Sequence, residues 1–231
     1  ASATLAASEV VDRAYSPFSE GLKLARSAIN LAAMPDPIRS LGVVSALPGE
    51  GKSTIAANLA YLYAAGGTRT LIVDADARHP TISRHFAPHA AQGLVEVLNG
   101  DAQLLASVVS SEDGGPDCLP CIGERGGGRI DDLLGSERMR ALLSEISEHY
   151  DLVIVDMPPV DLVAGGLSLC PALQGVVIVS EAGMTPLPMI SELTYKLRRA
   201  RAHLLGLLLN KVDGTSDTGY AGSLRDTAYA V

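Results

Sequence analysis

A glycine-rich segment that ends in Gly-Lys-Ser-Thr constrains this chain more than any other feature. It reads ALPGEGKST over residues 46–54 and lies between a predicted strand at about 40–46 and a predicted helix that runs through Tyr63. Glycines in such a turn allow backbone N–H groups to face phosphate oxygens, and the following helix N-terminus adds a partial positive charge. This strand–loop–helix context is the one that a phosphate-binding P-loop requires.

The side chains of this P-loop predict a site for a nucleoside triphosphate and its metal ion. We expect Lys52 to reach the β- and γ-phosphates and the Ser53 hydroxyl to bind Mg²⁺. Ala46 stands where the strict pattern has a glycine. The other loop residues that we expect to contact the nucleotide are Pro48, Gly49, Glu50, Gly51 and Thr54.

Two more apolar runs end in carboxylates. Asp74 and Asp76 follow one run and Asp156 follows another. The carboxyl ends of strands are where open α/β sheets bind ligands, and strand alternation would place Asp74 and Asp76 on the same side. We expect Asp76 and Asp156 to bind Mg²⁺ together with Ser53. The three aspartates and Lys52 are the candidate catalytic residues, because carboxylates beside a triphosphate can orient or deprotonate an attacking hydroxyl.

Predicted strands and helices alternate along the chain. Apolar positions at helical spacing predict helices, and short aliphatic runs predict buried strands. The helices are expected at 17–33, 136–149 and 187–202, and the strands at 40–46, 70–73, 152–155, 176–180 and 205–210. This alternation predicts an α/β fold with a doubly wound, mostly parallel sheet of the P-loop NTPase type.

The chain is divided into three parts by its composition. Residues 1–16 are rich in Ala and Ser and are interpreted as a linker, residues 17–213 as the P-loop domain, and residues 214–231 as a flexible tail. The 231 residues are 47% hydrophobic, so the chain can bury a large core. With 26 acidic and 18 basic residues the net charge is −8, which argues against nucleic acid as a partner.

Three segments together resemble one family. ALPGEGKST, LIVDADAR and VIVDMPP are similar to the Walker A, A′ and B motifs of bacterial tyrosine kinases (BY-kinases), P-loop kinases of the deviant-Walker (SIMIBI-like) group that are attached to polysaccharide co-polymerases. The resemblance covers about residues 16–213. It implies that Lys52, Ser53, Asp74, Asp76 and Asp156 bind Mg-ATP and that an A′ aspartate assists phosphate transfer to a tyrosine.

The same resemblance implies a cellular setting. It implies a protein-tyrosine autokinase that regulates capsule or exopolysaccharide polymerisation and export. Its partners would be further copies of itself in a ring-like oligomer that phosphorylates in trans, a membrane co-polymerase segment in the same or a partner chain, and a tyrosine phosphatase. The chain would work at the cytoplasmic side of the inner membrane and would itself be a soluble fragment, which fits its first residue, Ala1 rather than Met.

Two other sets of residues take their interpretation from the family. Glu20, Lys23 and Arg26 resemble its E-x-x-R-x-x-R oligomerisation motif, with Lys in the middle place. Lys lacks the bidentate geometry of Arg, so subunit contacts there are expected to be weaker. Tyr220 and Tyr229 lie in the last twelve residues and are the expected phosphoacceptors.

A motif after the last predicted strand bears on whether the nucleotide carries adenine or guanine. Asn210-Lys211-Val212-Asp213 matches the NKxD pattern by which many GTPases read guanine. GTPases usually carry D-x-x-G after the Walker B strand, where this chain has Met157-Pro158-Pro159. We therefore expect ATP, with Asn210 near the base.

Two alternatives remain open at this point. One is a nucleotide-gated assembly module with little phosphotransfer, because the tail has few tyrosines and Ala164-Gly165 replaces the family's Thr-Asp or Ser-Asp pair. The other is a positioning ATPase or GTPase of the same fold. Leu47 argues against a positioning ATPase, because those P-loops carry an additional lysine at that place.

Overall fold

The computed structural model describes residues 5–122, 127–159 and 164–212, with no side-chain description at 127–129 and 164–165. The tail predicted at 214–231, with Tyr220 and Tyr229, lies outside the described residues.

A sheet of six parallel strands forms the centre of the described chain. Its strands are β1 (Ser40–Ser45), β2 (Thr70–Asp74), β3 (Asp117–Leu119), β4 (Leu152–Asp156), β5 (Gly175–Glu181) and β6 (Leu204–Asn210). The order across the sheet is β3-β2-β4-β1-β5-β6. The predicted doubly wound, mostly parallel α/β fold is therefore confirmed.

Helices cover both faces of this sheet except at the edge strand β6, where Leu207 and Leu209 are exposed. One face packs against α1 (Glu9–Asp12), α2 (Pro17–Ala32), α3 (Lys52–Ala65) and α4 (Thr81–Phe86). The other packs against α5 (Leu94–Asn99), α6 (Leu104–Ser107), α7 (Gly127–Leu134), α8 (Glu137–His149), α9 (Ala164–Leu169) and α10 (Leu187–Arg199). Strands with both faces covered must be apolar throughout, which is why they read as unbroken aliphatic runs.

Local signals fix the ends of two predicted helices. The Ser16 side chain accepts a hydrogen bond from the Ser19 amide, and Pro17 occupies the first turn of α2. The Ser136 hydroxyl accepts from the Met139 amide at the start of α8.

None of the helices within the described ranges combines the length and the apolar character needed to cross a membrane.

The segment before α2 packs against the domain. Ala7 and Val10 are buried in the same core cluster as α3. Asn58 of α3, itself fully buried, accepts a hydrogen bond from the Val10 amide at 2.8 Å and donates to the carbonyls of Ala6 and Thr54 at 2.5 and 2.9 Å. The described part of the predicted linker is therefore held on α3, because a long-range hydrogen-bonding side chain compensates for its weak helical pattern.

Replacing Asn58 by Ala should release this segment. The substitution leaves the buried Val10 amide and the Ala6 carbonyl without partners, which costs about 1–3 kcal/mol of unfolding free energy. Denaturant unfolding measures the loss, and hydrogen exchange should show faster exchange at Val10. Asn30→Ala is the control, because exposed Asn30 accepts one hydrogen bond, from Tyr63. Unchanged exchange at Val10 would contradict this account.

Candidate functional site

The P-loop connects β1 to α3 through two glycines in the left-handed region. Gly49 has φ 85° and Gly51 has φ 92°, conformations that side-chain-bearing residues rarely adopt. The loop borders a cleft of about 300 Å³ that Asp76, His79 and Pro159 also line. A cleft of about 590 Å³ lies elsewhere, and one of about 760 Å³ between α2 and β6 is lined in part by Asn210 and Lys211, but neither contains Lys52 or Asp76, so the P-loop cleft is the candidate site.

Lys52 lies at the centre of a buried cluster of charged and polar groups. Its ammonium is 3.0 Å from Asp76 Oδ2, 3.2 Å from Asp156 Oδ1 and 3.3 Å from Ser53 Oγ. The Ser53 hydroxyl donates to Asp156 Oδ2 at 2.5 Å. The sequence predicted that these four residues act together, and the structure brings them into direct contact.

Burial and mutual attraction act in opposite directions on this cluster. Burial alone would lower the pKa of Lys52, but Asp156 and Asp76 raise it above its ordinary value. Burial raises the pKa of Asp156, while Lys52 and the Ser53 hydrogen bond oppose that rise. The lysine therefore stays charged beside two carboxylates. A hydroxyl and two carboxylates are the oxygen donors that Mg²⁺ prefers, so these residues fit that ion.

Asp74 is directed toward a different partner. Its carboxylate accepts hydrogen bonds from the Asp76 amide at 3.0 Å, the Ser83 amide at 2.9 Å and the Ser83 hydroxyl at 2.7 Å. Burial and the nearby Asp156 carboxylate raise the pKa of Asp74 to about 7, against these hydrogen bonds. Because β2 ends at Asp74, strand alternation does not extend to Asp76, and only Asp76 borders the cleft.

Ser83 contacts Asp74 and also binds Cys121, and neither residue was predicted as a neighbour of Asp74. The Ser83 hydroxyl also accepts a hydrogen bond from the Cys121 amide at 2.7 Å, which links α4 to the chain after β3. Ser83 follows Asp74 by nine residues and has no motif spacing. No sequence signal could have identified this contact.

The side chain of Glu50 is buried and points into the protein rather than into the cleft. Its carboxylate accepts from the Leu47 amide at 2.6 Å, from the Glu181 amide at 3.3 Å and from the Thr185 hydroxyl. Of the residues predicted to contact ATP, Glu50 therefore has only its backbone N–H available for phosphate.

The last residue of β6 and the residue after it also contact the P-loop. The Asn210 side-chain amide donates to the Glu50 carbonyl at 2.9 Å. The Lys211 ammonium donates to the Gly49 carbonyl at 2.7 Å and pairs with Glu181 Oε2 at 2.8 Å. Asn210, expected near the base, thus binds the loop backbone, and Lys211 was not among the predicted site residues.

The predicted oligomerisation residues of α2 have contacts within the chain. Lys23 pairs with Glu20 and donates to the Ala14 carbonyl, both at 2.7 Å. Arg26 donates to the Leu62 carbonyl at 2.9 Å, near the end of α3. A cation at that end of a helix is electrostatically favourable. These side chains therefore tie α2 to its neighbours in the chain.

Comparison with known proteins identifies the family. A family model described as an AAA domain matches residues 39–205. The tyrosine-protein kinase YwqD of Bacillus subtilis is 34% identical over 211 residues, which cover 89% of this chain and 86% of YwqD. The succinoglycan biosynthesis transport protein ExoP of Rhizobium meliloti is 34% identical over 205 residues, or 88% of this chain. The chain spans only 26% of the length of ExoP.

Solved structures agree with the sequence relatives. The kinase domain of the Escherichia coli tyrosine kinase ETK superposes with a TM-score of 0.83 at 27% identity, covering 92% of this chain and 82% of that one. The septum site-determining protein MinD of Pyrococcus horikoshii, complexed with Mg-ADP, has a TM-score of 0.66 at 23% identity, covering 78% of this chain and 72% of that one, and shares the fold. With the P-loop and its acidic cluster in place, this chain belongs to the AAA-domain family of P-loop proteins and, within it, to the bacterial tyrosine kinases.

Proposed function

We propose that the chain is a Mg-ATP-dependent protein-tyrosine kinase that phosphorylates copies of itself and regulates capsule or exopolysaccharide polymerisation and export. One observation carries the proposal: Lys52, Ser53, Asp76 and Asp156 meet at the end of a P-loop in a buried cluster. The relatives named tyrosine-protein kinase and succinoglycan transport protein support the reaction and the setting.

Each residue of the cluster has a task that follows from its contacts. The Lys52 ammonium would bind the β- and γ-phosphates. To do so, it would replace part of its contact with the Asp76 and Asp156 carboxylates by contact with phosphate oxygens. Ser53, Asp76 and Asp156 would hold Mg²⁺, which neutralises phosphate charge when bound. The Asp74 carboxylate accepts a hydrogen bond from the Asp76 amide, and its proposed role is therefore to orient Asp76.

The remaining proposed roles are the phosphoacceptors, the contacts between copies of the chain and the other partners. Tyr220 and Tyr229 are the proposed acceptors, and Glu20, Lys23 and Arg26 the proposed contacts of a ring-like oligomer. A membrane co-polymerase segment, in the same or a partner chain, and a tyrosine phosphatase are the further partners. A chain of this family that assembles around ATP without transferring phosphate is the alternative, supported by Ala164-Gly165 in place of the Thr-Asp or Ser-Asp pair.

Incubation with Mg-ATP should produce phosphotyrosine at Tyr220 and Tyr229, located by mass spectrometry. Lys52→Met should reduce the rate by about a hundredfold or more, because the positive charge that stabilises the transferring phosphoryl group is lost. Lys196→Met, which removes a surface lysine paired with Glu192, is the matched control and should keep the rate. Wild-type protein that binds Mg-ATP but forms no phosphotyrosine would favour the assembly module instead.

The dependence of binding on Mg²⁺ tests the two metal-binding carboxylates. Wild-type protein should bind ATP more tightly with Mg²⁺ than with EDTA, and Asp76→Asn or Asp156→Asn should remove most of that difference, because an amide is a weaker Mg²⁺ ligand than a carboxylate. Isothermal titration calorimetry measures both affinities. Asp151→Asn is the control, since exposed Asp151 pairs with Arg69. A full Mg²⁺ effect in both site variants would exclude these carboxylates as ligands.

A further inference from the structure

Residues at the carboxyl ends of β5 and β6 fix the backbone of the P-loop by hydrogen bonds and an ion pair. Lys211 donates to the Gly49 carbonyl at 2.7 Å and pairs with Glu181 at 2.8 Å. Asn210 donates to the Glu50 carbonyl at 2.9 Å. Two consecutive carbonyls of the loop are therefore each bound by a side chain, one from the last residue of β6 and one from the residue that follows it.

These contacts determine where the next two amides point. In a trans peptide the C=O and the following N–H lie in one plane and face opposite directions. A Gly49 carbonyl directed at Lys211 therefore turns the Glu50 N–H away from Lys211. A Glu50 carbonyl directed at Asn210 likewise turns the Gly51 N–H away from Asn210. Those N–H groups are the donors that a P-loop offers to phosphate.

The packing around Gly51 supports the same arrangement. The Asn210 side chain lies so close to this glycine that a methyl group added at Gly51 would overlap the Asn210 amide. The buried Glu50 carboxylate also holds the loop, because it accepts hydrogen bonds from the Leu47 amide, the Glu181 amide and the Thr185 hydroxyl. Loop, β5 and β6 therefore form one hydrogen-bonded unit.

We propose that Asn210 and Lys211 are positioning residues for the P-loop, which orient the Glu50 and Gly51 amides toward the phosphates. The inference rests on the proposed nucleotide binding and is independent of phosphate transfer. It predicts that each of the two residues contributes as much to the affinity for tripolyphosphate as to the affinity for ATP, because both act through the phosphates.

Binding of Mg-ATP and of Mg-tripolyphosphate to the full chain, measured by calorimetry, tests this. Lys211→Met and Asn210→Ala should each weaken the binding of ATP as much as that of tripolyphosphate, by about tenfold, as for the loss of one hydrogen bond. Asn210→Ala changes no charge, so its effect separates loop positioning from long-range attraction. Lys211→Arg should restore most of the affinity, and Lys196→Met should change nothing.

The outcomes separate the alternatives. If ATP binding falls while tripolyphosphate binding stays unchanged, the two residues read the base and the inference is wrong. Unchanged affinity for both ligands would also overturn it. If Lys211→Met does not fold, as judged by thermal unfolding, Asn210→Ala decides the question alone. Wild-type protein that binds none of the ligands contradicts the proposed function and this inference together, whereas binding without phosphotyrosine contradicts only the kinase reaction.

Discussion

The contact of buried Lys52 with Asp76 and Asp156 is the interaction on which the site depends. Burying a charge is costly unless an opposite charge and hydrogen bonds accompany it, and three carboxylates lie at this edge of the sheet. Two of them share Lys52, and the third, Asp74, is satisfied by Ser83 and a backbone amide. The P-loop turn sets the position of Lys52. The conformation of the loop therefore determines whether the charges of the two carboxylates are balanced.

The strand order explains why these groups meet. β1 lies between β4 and β5, so the P-loop that follows it emerges between Asp156 on one side and Glu181 on the other. Open α/β sheets bind ligands at such points, where neighbouring crossovers leave in opposite directions. Parallel pairing also sets Asp74 beside Asp156 in register, which brings together the acidic ends of two strands distant in sequence.

Local pattern was enough to predict five of the six strands and the four longest helices, although their ends shifted, but it did not predict β3 or the short helices α4 to α7. The helix predicted at 17–33 is observed at Pro17–Ala32, and the one predicted at 187–202 ends at Arg199. Aliphatic runs located β1, β2, β4 and β5 because both of their faces are covered. The packing of residues 5–16 was not predictable, since it depends on Asn58, a side chain more than forty residues away.

The sequence by itself determined the chemistry available to this protein: a glycine-rich loop before a helix, a lysine and a serine at its end, and aspartates closing two buried strands. Those features depend on neighbours in the chain and on the period of apolar residues. Only the tertiary structure decided which carboxylate meets Lys52, that Glu50 turns inward, and that Asn210 and Lys211 bind the P-loop. These outcomes depend on strand order and on hydrogen bonds between distant segments, which no local pattern encodes.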